Sequence, residues 1–230
     1  MTKYSLLSQA NARGGKVKKE QPAFDGGEAI SLSNKPTLIS LYTRQGQRKY
    51  LTQQERERFI DTASYEIALV FAFCCLLSDT GCRISEALAL TPKHIDHADG
   101  VIVIECLKKR QHGIYRAIPV SPRLLNQLTR LTASLSQNER IWPWCRMTGY
   151  RRIKQVMKQA EIIGPQASPK GLRHSFAIAA ISAGVPLNLV QRWLGHADMA
   201  TTAIYTHVVG NEEKQIAEKM WRAWQHTDEI

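Results

Sequence analysis

Apolar positions recur every three or four residues over most of the chain after residue 50, and this period predicts amphipathic helices. The segments with helical spacing are 53–63, 65–79, 83–90, 122–136, 148–163, 168–184 and 187–195. Gly81 and Gly184 follow two of them, at the position where glycine commonly ends a helix. The most apolar run, IALVFAFCCLL at 67–77, is too short to span a membrane and predicts a buried core helix.

One part of the chain changes from helical spacing to strand spacing. The run VIVIE is followed by the polar loop KKRQHG (108–113) and by YRAIPV (115–120), which together predict a β-hairpin. The predicted fold class is therefore α+β and mostly α, with helices around a small antiparallel sheet. The folded domain would hold about 180 residues, a size suited to a single core.

Polar side chains at three helix starts predict N-terminal caps. Thr52 lies three residues before Glu55, which is the spacing of a capping box. We expect Thr148 to cap the helix over 148–163. We expect Asp198 to cap a short helix that carries Tyr205.

The net charge of the chain limits the classes of partner that it is expected to bind. It holds 31 Lys and Arg against 20 Asp and Glu, a formal net charge of +11, which favours nucleic acid or an anionic membrane surface. The membrane alternative lacks a basic amphipathic helix with a wide apolar face. Residues 1–49 are basic and lack an apolar period, so we expect a largely flexible arm that is either a solvated tail or a contact to phosphates.

Cofactor and metal motifs are missing from the sequence. The five cysteines form no CxxC pair, and this pattern is typical of reduced, buried thiols in a cytoplasmic protein. The seven histidines form no HxxxH, and no phosphate-binding glycine loop occurs. We therefore expect no metal site and no nucleotide cofactor.

Two arginines stand where an anion is needed or can be reached. Arg83 follows a helix stop and is either a surface cation paired with Glu86 or a phosphate ligand that Glu86 holds in place. Arg173 lies in GLRHSFAIAA, where a nearly apolar helix obliges it to find a structural carboxylate or a substrate phosphate.

Four further candidates have ordinary explanations as well as chemical ones. Lys108 and Lys109 lie in the hairpin loop, where lysines are usually solvated. His196 directly follows Gly195, where a cap or surface group is common. Tyr205 stands among threonines, which is compatible with a half-buried ring and a wet hydroxyl. Combined, two arginines, a lysine, a histidine and a tyrosine could move a phosphodiester without a metal.

The order of these motifs resembles a known family. TGCRISEALALTPKHID, the lysine hairpin, SPKGLRHSF and AGVPLNLVQRWLGHADMATTAIYTHV are similar to the catalytic domain of tyrosine recombinases, the phage-integrase family, over residues 50–210. The site residues that the resemblance implies are Arg83, Lys108, Lys170, Arg173, His196 and Tyr205.

The resemblance gives each residue a role. Arg83 and Arg173 would clamp the phosphate, and Lys108, or Lys109 in its place, would protonate the 5′-oxygen. Lys170 stands where histidine is more common, which leaves the general base open. His196 matches the last His/Trp position. Tyr205 would be the nucleophile, and we expect it on a polar, mobile segment so that its oxygen can reach DNA.

The implied activity is site-specific recombination of double-stranded DNA through a 3′-phosphotyrosyl link, without ATP. A tetramer on two DNA sites would be the working form, and an accessory DNA-bending or directionality protein is an open possibility. The amphipathic tail helix, predicted within 211–230, would dock on a neighbouring protomer or on its own domain. A DNA-binding regulator without catalysis and a type IB topoisomerase are the alternatives.

Overall fold

A computed structural model of the protein describes residues 41–106, 113–208, 217–218 and 220–222. Its helices are α1 (Gln53–Ala63), α2 (Ala68–Thr80), α3 (Ile84–Leu88), α4 (Pro122–Thr132), α5 (Arg146–Gln159), α6 (Pro169–Ser182), α7 (Leu187–Leu194) and α8 (Ala200–Ala203). Its strands are β1 (Ile95–Asp96), β2 (Val101–Glu105) and β3 (Tyr115–Pro119). Short 3-10 turns cover Pro92–His94 and Ile204–Val208.

The sheet is antiparallel, with strand order β1-β2-β3. Ile102 pairs with Ile118, and Ile104 pairs with Arg116, so one face of the hairpin points into the protein. The predicted hairpin and the predicted α+β, mostly α fold class are confirmed. The two-residue strand β1 was not predicted, because two residues carry no readable alternation.

The core forms around α2, which packs on α1, α4 and α6. Phe73 of α2 lies against Trp142, whose indole nitrogen donates to the carbonyl oxygen of Leu69 at 2.8 Å. Four of the five cysteines are free and buried as expected, whereas Cys145 is exposed. Among the described residues, no helix combines the length and hydropathy needed to cross a bilayer.

The caps were predicted with mixed success. Thr52 and Glu55 form the expected capping box at the start of α1. The prediction for Thr148 is wrong: α5 begins at Arg146 after Cys145, and the Thr148 hydroxyl lies 3.3 Å from the Cys145 thiol instead. The prediction for Asp198 is wrong: Met199 is the N-cap of α8, and Tyr205 lies in the 3-10 turn after that helix. The Asp198 carboxylate lies one residue before the cap and accepts from the Ala200 backbone N–H at 3.0 Å.

The junction between α2 and α3 is a close-packed turn. Gly81 ends α2 with a φ of +59°, a left-handed conformation that glycine adopts without strain. A Cβ at Gly81 would lie 2.5 Å from Cδ1 of Phe176 on α6, so a side chain has no room there. The turn itself therefore lies directly against α6.

The predicted arm and tail lie mostly outside the described residues. At residues 41–50 the chain turns back on itself through a bridge between Tyr42 and Arg48, and Arg48 forms an ion pair with Glu55. Of the tail, residues 217–218 and 220–222 are helical. The boundaries at 1–49, 50–210 and 211–230 stay predictions.

Candidate active site

Arg83 lies directly before α3, at its N-cap position, and is held by a carboxylate one turn away. Its Nη1 donates to Oε1 of Glu86 at 2.9 Å, and its backbone N–H donates to Oε2 at 2.8 Å. Glu86 is fully buried, whereas a quarter of the Arg83 side chain is exposed. The i,i+3 pairing expected from the sequence is present, and it leaves one side of Arg83 open to solvent.

Arg173 reaches the same region from α6. It is 8% exposed and donates to two backbone carbonyls, to Gly81 at 2.8 Å and to Leu194 at 2.7 Å. Among the described residues, no carboxylate forms a direct bond with it, so the structural anion offered as one explanation is replaced by peptide oxygens. Burial and then the charge of Arg83 lower the pKa of Arg173 to about 10. A bound anion would relieve this repulsion.

The two arginines line one open cleft of about 430 Å³, which we call the arginine cleft. Its lining also includes Ser85, Arg146, Tyr150 and Lys170. Lys170 is exposed on the first turn of α6, where the Ser168 hydroxyl caps the helix by accepting from Gly171 at 3.1 Å. Four cations beside a helix N-terminus favour an anion such as a phosphodiester.

A larger cleft of about 610 Å³ lies elsewhere, among α1, α2 and α6. None of the six predicted site residues lines it. Its lining mixes Arg56, Asp79 and Arg123 with apolar side chains, so it lacks the one-sided positive charge of the arginine cleft. The arginine cleft is therefore the better candidate for a phosphate.

Tyr205 is placed differently from the expectation. It lies in the 3-10 turn after α8, is 2% exposed and packs in an apolar cluster with Phe176, Val190 and Leu194. Its hydroxyl lies 3.0 Å from Nδ1 of His174, and burial raises its pKa to about 12. The prediction of a half-buried ring with a wet hydroxyl is wrong, because α6 and α7 supply apolar neighbours that the local sequence lacks. The expected mobility of the segment that carries Tyr205 stays a prediction.

His196 stacks on Tyr205, with ring centroids 6.4 Å apart and an interplanar angle of 11°. Its Nδ1 lies 2.9 Å from the Thr202 hydroxyl. Burial and then the positive charge of Arg173 and Arg83 lower the pKa of His196 to about 3. The ring is therefore neutral at pH 7 and able to donate one N–H to a phosphate oxygen.

Five of the six predicted residues thus lie in this part of the protein. Arg83, Lys170 and Arg173 line the arginine cleft. His196 and Tyr205 stack on each other, and the charge of Arg173 acts on both. Lys108, like its neighbour Lys109, lies outside the described residues. The roles of all six stay predictions. Two further residues were missed: His174 beside Tyr205, and Arg116 behind Glu86. The signal for His174 was available, because a histidine in the nearly apolar stretch GLRHSFAIAA needs a partner as much as Arg173 does.

Comparison with known proteins identifies the family. The phage integrase family model matches residues 49–212, and the chain belongs to that family. Tyrosine recombinase XerD of Haemophilus influenzae is 31% identical over 189 residues, which cover 74% of this chain and 62% of the relative. Tyrosine recombinase XerA of Pyrococcus furiosus is 29% identical over 184 residues, which cover 74% and 61%. The chain therefore spans about three fifths of the length of these relatives.

Solved structures share the fold. The crystal structure of XerA recombinase matches with a TM-score of 0.64 at 24% identity, over 74% of this chain and 64% of that one. A pre-cleavage complex of XerH site-specific recombinase with difH substrate matches with a TM-score of 0.59 at 25% identity, over 81% and 56%. The catalytic domain of bacteriophage HP1 integrase matches with a TM-score of 0.54 at 20% identity, over 74% and 93%. The resemblance expected from the sequence is confirmed.

Proposed function

We propose that this protein is a site-specific recombinase that cuts and rejoins double-stranded DNA through a 3′-phosphotyrosyl intermediate. The observation that carries the proposal is the arginine cleft, where Arg83 and Arg173, from distant parts of the chain, face one space together with Lys170. Two guanidinium groups can bind a phosphodiester by paired hydrogen bonds and can stabilise the charge that develops during attack. Relatives named as tyrosine recombinases, and a neighbour bound to its difH substrate, support this assignment.

In the proposed reaction, the Tyr205 oxygen forms a bond to phosphorus while the bond from phosphorus to the 5′-oxygen breaks. The phenolic proton passes to a base, for which the neutral amine form of Lys170, on the exposed side of the cleft, is the candidate. The leaving 5′-oxygen takes a proton from Lys108. The phosphodiester becomes a phosphotyrosyl ester, so its bond energy is kept. A 5′-hydroxyl from a second strand then reverses the step, without ATP or a metal.

Tyr205 must move before it can attack. Its hydroxyl is bonded to His174 within an apolar cluster, whereas a phosphate in the arginine cleft would lie on the open side of Arg173. We infer that DNA binding or a neighbouring protomer displaces residues 196–208, which we call the tyrosine segment.

The assembly follows from the same chemistry. Exchange of strands between two sites needs four nucleophiles, which corresponds to a tetramer on DNA. The basic residues before position 50 would add phosphate contacts, and binding should weaken strongly with salt. The tail helix would dock on a neighbouring protomer, and an accessory DNA-bending or directionality protein would set the outcome. The site of action would be the cytoplasm, on a mobile element or the chromosome.

The test uses nicked duplexes tiled across the genomic DNA that flanks the gene, because a nick traps the covalent adduct. Wild type should give a protein–DNA adduct on at least one duplex, and Tyr205→Phe should give none while binding DNA equally well. If neither protein forms an adduct but both bind, the protein is a regulator. If supercoiled plasmid is relaxed without any strand exchange between two sites, the topoisomerase alternative is correct.

A further inference from the structure

We propose that Arg116 is a positioning residue of this site, which aligns Arg83 and the segment leading into His196 without contacting DNA. Arg116 lies on β3 and was not among the candidate residues. The inference rests on the proposed function, because its role is to hold groups that act in DNA cleavage.

Arg116 is buried and bonded on every side of its guanidinium group. The side chain is 3% exposed. Nη2 donates to Oε2 of Glu86 at 2.6 Å, and Nη1 donates to Oε1 at 3.4 Å and to Sγ of Cys106 at 3.1 Å. Nε donates to the carbonyl oxygen of Trp193 at 2.7 Å. A solvent-excluded cation with these partners cannot itself reach a DNA phosphate.

The first link runs from Arg116 through Glu86 to the phosphate clamp. Both oxygens of Glu86 also bind Arg83, one through the guanidinium group and the other through the backbone N–H. Burial pushes the pKa of Glu86 upward, but the hydrogen bond and the charge of Arg116 hold it below its ordinary range. Arg116 therefore keeps this carboxylate ionised and fixed, and the fixed carboxylate sets the direction of Arg83.

The second link runs from Arg116 to the end of α7. Arg116 donates a hydrogen bond to the carbonyl oxygen of Trp193, and Arg173 donates one to the adjacent carbonyl oxygen, that of Leu194. These carbonyls form the negative end of the helix, which favours two buried cations. The next residue, Gly195, has a φ of +64°, and a Cβ there would lie 3.0 Å from Nη1 of Arg116. The peptide that leads into His196 thus rests directly on the Arg116 guanidinium group.

The geometry therefore places one buried side chain between Arg83, Arg173 and His196, all of which would face the phosphate. A small shift of any of them would change the alignment of the transition state more than it would change the binding of DNA. Misplacement by about 1 Å can cost about 10²-fold in rate. A residue with a merely structural role would instead lower stability without changing the reaction of the folded molecules.

The test measures single-turnover cleavage of the nicked duplex recovered above, at saturating protein and at a temperature where each variant is folded by circular dichroism. We expect Arg116→Met to slow adduct formation about 100-fold while DNA affinity changes less than about threefold. Arg116→Lys keeps the charge and the fold but cannot bond Glu86 and Trp193 together, so an intermediate loss of about tenfold is expected. Glu86→Gln combined with Arg116→Met should lose little more than Arg116→Met alone.

Arg56→Met is the matched control, because Arg56 also pairs with a carboxylate, that of Asp79, but lies outside the arginine cleft. It should lower stability and leave the cleavage rate of the folded protein within about twofold of wild type. The inference is overturned if Arg116→Lys and Arg116→Met cleave at the wild-type rate, if Arg56→Met is slowed equally, or if DNA affinity falls as much as the rate. Absence of an adduct with wild type would instead refute the proposed function.

Discussion

The arginine cleft and the tyrosine segment differ in how closely their geometry matches what the proposed reaction needs. The cleft is open, and its arginines are already fixed by Glu86 and by backbone carbonyls. Tyr205 is closed off, with its hydroxyl on His174 and its ring in an apolar cluster. We infer from this difference that DNA would bind before the proposed nucleophile is available, so that control of the proposed cleavage would lie in the release of Tyr205 rather than in the phosphate clamp.

The largest expected effect on the difference between the two regions comes from removing the Arg173 side chain. Arg173→Ala should reduce adduct formation by about 10³-fold or more, because it removes transition-state donors and a bond to each of two chain segments. Most DNA affinity at low salt should remain, since phosphate binding is shared among many cations. Cleavage assays and filter binding measure both quantities. Arg130→Ala, at an exposed position on α4, is the control, and a near-normal cleavage rate for Arg173→Ala would contradict its assignment.

Lys170 tests whether the open half of the site supplies the proton acceptor. Lys170→Ala should slow cleavage about 100-fold, within the range of general acid–base catalysis. Lys170→His should keep more of the rate, because imidazole can also exchange a proton. Rates are measured on the nicked duplex at saturating protein. A Lys170→Ala variant with the wild-type rate would show that the base lies elsewhere.

His174 tests how firmly the nucleophile is closed off. In the DNA-free protein, Tyr205 should be nitrated by tetranitromethane far more slowly than Tyr65, which is 90% exposed. His174→Ala removes the bond to the hydroxyl and admits water, so the pKa of Tyr205 should fall from about 12 towards its ordinary value of 10. A fall of one unit raises the phenolate fraction about tenfold, and the nitration rate with it.

Peptide mass spectrometry gives both rates in one sample, with Tyr65 as the internal reference. If Tyr205 and Tyr65 react equally fast in wild type, the tyrosine segment is open without DNA and the comparison fails. Circular dichroism of the His174→Ala protein separates unfolding, which removes the helical signal, from local release of Tyr205, which keeps it.

The smallest expected effect concerns the turn before α1, where Glu55 lies outside the arginine cleft. Burial alone would raise the pKa of Glu55, but the hydrogen bond from Arg48 lowers it from 4.5 to about 2. Stabilisation by the ionised carboxylate is therefore complete above about pH 4.5 and is lost as the pH falls through about 2. Glu55→Gln should cost about 1–2 kcal/mol at pH 7 by urea unfolding, and the difference should shrink towards pH 2. A constant difference across this range would contradict the pairing.

The features that the sequence predicted well are those decided by near neighbours. The hairpin follows from the β-branched run VIVIE, the polar loop after it and the return segment YRAIPV, and the pairing of Arg83 with Glu86 follows from their i,i+3 spacing. The features that could not be predicted depend on residues distant in sequence. Arg173 satisfies its donors with the carbonyls of Gly81 and Leu194, 92 and 21 residues away.

Tyr205 illustrates the same limit from the opposite side. Its neighbours in sequence are threonines, which predict a wet environment, but Phe176 and Val190 arrive from two other helices and exclude water. The partner of its hydroxyl, His174, lies 31 residues away. The local sequence therefore predicted the polar surroundings of this turn but not the apolar contacts on the side that faces the core.

Gly81 has a consequence for how such a chain can diverge. Its carbonyl oxygen accepts from Arg173, and Arg83 is only two residues further along the backbone. The distance between the two guanidinium groups thus depends on the short segment from Gly81 to Arg83 rather than on the packing of the outer helices. We expect those outer helices to tolerate extensive replacement, while even a single methyl group added at position 81 would push Phe176 aside and detune the pair.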